Sequence, residues 1–213
     1  QKLPLACTMG SQQKVFQAEY ALGMLAPALE LAEQAPWREE PLIGLYSHTY
    51  AMLHGEEAET AYQQQVEMLT RHAWLLKPVE QRTLSLMAIN FCIRQLNQGH
   101  GDYLAEVYAL YKRGLEEQWL FERGELSPWT YKNIVAAGLK LRDYDWVGQF
   151  IEAYQRHLPE RLRFTFHQYT RAELQLAQQQ FQDVLRTLRF LQIKDPLTHI
   201  IRNSVDHGIE APQ

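Results

Sequence analysis

His199, Asn203 and His207 recur at four-residue spacing, so on a helix they form one stripe. They belong to the string His199-x-x-Arg202-Asn203-x-x-Asp206-His207-Gly208-Ile209-Glu210, the densest run of chemistry-bearing residue types in the chain. Its two imidazoles titrate near neutral pH and can serve as acid, base or hydrogen-bond group. Elsewhere such residues are dispersed. His48, His54, His72, His100, His157 and His167 form no cluster, and Cys7 and Cys92 are too far apart for a CxxC motif or a metal site. Cys92 lies in an apolar helical run and reads as a buried thiol. Acidic pairs such as Glu39-Glu40 and Glu56-Glu57 sit where they favour a helix dipole rather than catalysis. Phosphate-binding glycine loops, HExxH, GxSxG and EF-hand spacings are all missing from the sequence.

The string at 195–211 resembles the N-box of chemotaxis-type (CheA-like) histidine kinases, the helix that holds Mg-ATP in their ATPase domain. The resemblance implies that Asn203 gives an amide oxygen to Mg²⁺ and that Arg202 contacts phosphate. His199 and His207 would lie beside the phosphates. The Asp-x-Gly-x-Gly loop and glycine-rich lids that complete such a site do not occur in this sequence, and the acidic strand that leads into it is replaced by repeat sequence. Three explanations stay open: a fragment of a larger two-component kinase, a junction near Lys194-Asp195, or a closing helix with Leu197, Ile200, Ile201 and Val205 as its apolar side. Under each, the chain as given is expected not to catalyse and to carry no cofactor. Mg-ATP enters only if the missing ATPase domain is supplied.

The elements that would position these groups are helices. Apolar periodicity and Gly/Pro punctuation place them at about 12–35, 41–54, 56–76, 79–98, 101–122, 128–141, 145–157, 160–179 and 182–192. Ser127-Pro128 is a start signal, with Ser as N-cap and Pro in the first turn. No stretch alternates apolar and polar residues long enough to support a strand.

A repeat stands out in the second half. Arg142-Asp143-Tyr144-Asp145-Trp146-Val147 aligns with Gln179-Gln180-Phe181-Gln182-Asp183-Val184, and Tyr144 and Phe181 are 37 apart. Pro159 and Pro196, Leu139 and Leu176, Val147 and Val184, and Ile151 and Leu188 keep that offset. This is similar to the tetratricopeptide pattern, although the period exceeds the usual of about 34 and Ala136, at the close-contact position, has Glu173 as its counterpart. The resemblance implies an all-α fold, a right-handed solenoid of antiparallel helix pairs, that binds a protein or peptide on its concave face. In such a solenoid the first helix of each pair lines the groove. Asn90, Lys132, Asn133 and Arg171 fall on first helices and are the candidate peptide-binding set. The aromatic residues, Trp74 and Trp129 among them, are expected between helices.

The expected organisation is a flexible segment at 1–11, a helical-repeat domain at 12–194, and the N-box-like tail or capping helix at 195–213. At 213 residues, 46% hydrophobic and 22% charged, the chain can bury a sizeable core. No apolar run reaches the roughly 20 residues of a membrane span, so no membrane partner is expected. Leu3–Cys7 is too short for the core of a signal peptide. A cytoplasmic location with reduced thiols follows. The net charge is −4, but residues 156–194 hold seven Lys and Arg against three Asp and Glu. That basic stretch could meet an acidic peptide. The acidic majority elsewhere argues against nucleic acid.

Overall fold

The structure, a computed structural model, describes residues 3–9 and 25–191. Two compact units divide the chain, Gln1–Trp119 and Leu120–Gln213. The first holds helices α1 (residues 3–9), α2 (Leu25–Ala32), α3 (Pro41–His54), α4 (Ala58–His72), α5 (Pro78–Asn97) and α6 (Tyr103–Glu116). The second holds strands β1 (Phe121–Glu122) and β2 (Glu125–Leu126), then α7 (Pro128–Lys140), α8 (Tyr144–Tyr154), α9 (Glu160–Ala177) and α10 (Phe181–Leu191). The described residues are thus all-α apart from one short hairpin, and among them no helix is long and apolar enough to cross a membrane.

Two kinds of connection alternate. At three of the junctions between pairs, a single 3-10 turn (Trp37–Glu39, Ala73–Leu75, Gln155–His157) is followed by one residue (Glu40) or two (Leu76-Lys77, Leu158-Pro159) before the next helix. Pro41 and Pro78 then occupy the first turn, where a missing N–H costs nothing. Pro159 stands one place earlier, as the N-cap of α9. Ser127 takes the N-cap position of α7 as expected, but its hydroxyl makes no capping bond, so that start relies on Pro128.

Within pairs of the second unit the turn is left-handed. Arg142 ends α7 at φ 60° and Gln179 ends α9 at φ 61°. The hydrogen bonds around them match one for one. Arg142 N–H reaches Leu139 O and Asp143 N–H reaches Gly138 O, while Gln179 N–H reaches Leu176 O and Gln180 N–H reaches Gln175 O. Every pair of equivalent atoms is 37 residues apart, so the period seen in the sequence is a period of the backbone.

In each unit a first helix packs on its own second helix, and that second helix packs on the next first helix. Helix α3 meets α4 and α5, and α4 meets α5; likewise α7 meets α8 and α9, and α8 meets α9. The first core gathers Leu45, Met52, Leu84, Phe91 and Cys92, all buried. The second gathers Tyr131, Ile134, Val147, Phe150 and Ile151. There Trp146, Phe150 and Tyr154 stack along one face of α8, and the buried Tyr131 Oη of α7 donates to Ile151 O of α8 at 2.9 Å.

Three expectations are corrected. The helix expected over 101–122 stops at Glu116, and a hairpin follows in which Arg123 and Gly124 both take positive φ, as a tight two-residue turn requires. Strands of two residues are too short to show alternation, which is why the sequence carried no sign of them. Trp74 and Trp129, expected between helices, are 78% and 65% exposed, because Trp74 lies in the 3-10 turn after α4 and Trp129 in the first turn of α7, at the ends of their helices and not along a packed face. Residues 3–9, inside the expected flexible segment, are helical with Ala6 and Cys7 buried, and the Cys7 thiol donates to Tyr46 O at 3.3 Å.

Candidate functional site

Lys132 and Asn133 lie on α7, Arg171 on α9, and Asn90 on α5 of the other unit. Asn90, Asn133 and Arg171 are exposed. Lys132 is half-buried, with Nζ 5.0 Å above the Tyr169 ring. The first helices α7 and α9 run in the same direction side by side here, since Trp129 also meets Phe166 edge-on at 6.1 Å. Both contacts join residue n to residue n+37. Arg171 follows Tyr169 by two residues, about 200° around the helix, so it projects from the opposite side of α9 to Lys132. The structure therefore joins Lys132 to Tyr169 and does not bring it to Arg171.

Glu173 completes the Lys132 contact. Tyr169 hydrogen-bonds its carboxyl, the Lys132 charge acts on it, and Oε2 is left without a hydrogen-bond partner. Burial outweighs both helpers and raises the Glu173 pKa above the ordinary carboxylate range. Neither Tyr169 nor Glu173 was a candidate from sequence. The available signal was that Glu173 occupies a repeat position where Ala136 stands one period earlier.

The first unit holds a different constellation. The Cys92 thiol donates to Tyr62 Oη at 3.1 Å, and Tyr62 Oη donates to Glu106 Oε2 at 3.4 Å. Tyr62 stacks on Phe91 and meets the edge of Tyr103. Burial, chiefly, pushes the Cys92 thiol up to about 11 and the Tyr103 phenol to about 12, the latter helped by Glu59; it also pushes the Tyr62 phenol up. Cys7 rises to about 12 for the same reason. Thiols so placed stay protonated at neutral pH and are poor nucleophiles, in keeping with Cys92 as a buried thiol. The groups border a cleft of about 360 Å³ lined by Glu59, Glu67, Asp102 and Glu106. A larger cleft of about 920 Å³ lies between α2 and α3, where His48, its pKa lowered by burial, stands near Ser47, His54 and Arg38. Among the described residues no group of His, Cys, Asp and Glu could hold a metal ion.

His199, Arg202, Asn203 and His207 lie outside the described residues, as does the whole N-box-like segment. Comparison with family models, with curated proteins and with solved structures found no match.

Proposed function

We propose that the chain is a non-catalytic helical-repeat scaffold, a right-handed solenoid of helix pairs resembling the tetratricopeptide type, that binds a protein or peptide on the surface of its first helices. The observation that carries this reading is the matched turn at Arg142 and Gln179, together with the n to n+37 contacts between α7 and α9. Helix pairs that repeat in register stack along one direction and leave a continuous surface of first helices.

In the second unit that surface offers Trp129 and Asn133 on α7, and Phe164 and Arg171 on α9, all exposed. Exposed rings offer area to apolar side chains, while an amide and a guanidinium bind backbone carbonyls or carboxylates. The surplus of Arg over acid in 156–194 favours an acidic peptide.

The test is an array of acidic, basic and neutral peptides, read with the parent chain and with Arg171→Glu. Selective binding of acidic peptides that weakens about tenfold or more on charge reversal, the loss of one charge-assisted contact, supports the reading. Equal binding by both chains, or none, contradicts it.

A further inference from the structure

Helix α2 packs on α3 and leaves a cleft of about 520 Å³ between them, bordered also by α1 and the 3-10 turn at Trp37–Glu39. Its walls follow from helical spacing. Ala28 and Leu31 stand three apart on α2, and Leu42 and Tyr46 four apart on α3, so each pair shares a helix face. Leu31, Trp37 and Leu42 line the cleft yet stay 48%, 45% and 36% exposed. Apolar side chains grouped at a protein surface mark a binding site, and the volume lies within the roughly 300–1,000 Å³ of small-molecule pockets. Among the described lining residues one carries a charge, Glu80 from the first turn of α5. We infer that this cleft binds a small apolar molecule bearing one cationic amine, with its hydrocarbon against Leu31, Trp37 and Leu42 and its ammonium on Glu80.

Charge selects the head group. An ammonium beside a carboxylate gains a charge-assisted hydrogen bond, whereas a ligand carboxylate there meets a like charge. A neutral alcohol of the same length keeps only the apolar contacts. Glu80 is already held in place, because its Oε2 accepts the Lys77 backbone N–H at 3.0 Å in the cap of α5, which leaves Oε1 for a ligand. The carboxylate also acts on Tyr46 across the cleft. Burial first, and then the Glu80 charge, pushes the Tyr46 phenol up to about 12, so its hydroxyl stays protonated at neutral pH and its oxygen can accept from the same ammonium. The site lies wholly in the first unit, apart from the peptide surface proposed on the second, and it stands without the repeat.

The full chain is titrated with octylamine, octanol and octanoate while the indole N–H signals of Trp37 and, as a reference in the second unit, Trp129 are followed by NMR. The same titrations are run on Glu80→Gln, which removes the charge but keeps the cap, since a capping box accepts Glu or Gln at this position. Saturable movement of Trp37 by octylamine, with Trp129 unmoved and octanoate inert, is the expected result. Glu80→Gln should weaken octylamine about tenfold, the loss of one hydrogen bond to a charged group, and leave octanol unchanged. No saturation at Trp37, equal movement of Trp129, octanoate binding as tightly as octylamine, or octylamine binding unaltered in the variant would overturn the site. An equal loss for octanol in the variant would assign the effect to the walls and overturn the selection of an amine.

Discussion

The helix pairs of the first unit close in two different ways, whereas those of the second close alike. Gly55 ends α3 in extended backbone, with φ −77° and ψ 160°, and its N–H reaches Ala51 O at 2.6 Å. Gly99 ends α5 left-handed at φ 95°. In the second unit both turns are left-handed and carry the same hydrogen bonds, on Arg142 and Gln179. A sequence period requires equal turn lengths and equal turn geometry, so only the second unit can display one. Both interiors bury polar groups: in the first, Gln65 Nε2 donates to Leu84 O at 3.1 Å beside the Cys92–Tyr62–Glu106 chain, and in the second, Thr170 Oγ1 donates to Phe166 O at 2.9 Å. The second adds a three-ring stack along α8.

The largest expected effect comes from breaking that ring stack. Phe150 is buried between Trp146 and Tyr154 and touches Tyr131. Phe150→Ala should cost about 3–5 kcal/mol in urea denaturation; a cost below about 1 kcal/mol would mean that the stack is not the core of the unit. Next comes the close approach of α8 and α9. Gly148→Leu forces bulk against Leu174 and should cost about 1–3 kcal/mol by the same measurement, while Gly148→Ala fits at ordinary contact distance and should gain up to about 1 kcal/mol of helix propensity.

The turns sharpen the comparison in opposite directions. Gly99→Ala places a side chain at positive φ and should cost about 1 kcal/mol, although nothing surrounds the new Cβ. Arg142→Gly relieves the same kind of strain and should stabilise by about 1 kcal/mol. Equal signs for the two changes would refute the left-handed assignment at one of them.

The smallest effect is in pH. The raised pKa of Glu173 means that its protonated form is the one the fold favours. Its contribution is fully present below the ordinary carboxylate pKa of about 4.3 and is lost as pH rises through the higher folded value. Glu173→Gln should therefore stabilise at neutral pH and lose that advantage in acid, as thermal melts across the range would show. A gain of the same size at every pH would point to packing instead of charge.

Much of this architecture was legible because proline and glycine mark it. Pro41, Pro78 and Pro128 each begin a helix where punctuation placed one, and the period found at Tyr144 and Phe181 reappears in backbone hydrogen bonds. The hairpin at Arg123-Gly124 was hidden because two residues of strand carry no period. The candidate surface was read less well. Spacing alone identified Lys132 and Arg171 as first-helix residues, yet only the helix rotation shows that Arg171 projects from the side of α9 opposite to the one that meets Lys132 of α7. Glu173 was visible as a misfit in the repeat, but its burial beside Lys132 depends on how α7 and α9 meet.

The register between those two helices is what the account depends on most, and nuclear Overhauser contacts read it directly. Cross-peaks joining the Trp129 ring to Phe166, and the Lys132 side-chain methylenes to the Tyr169 ring, are predicted. Contacts from α7 to α9 at any offset other than 37 residues, or none between these helices, would contradict it.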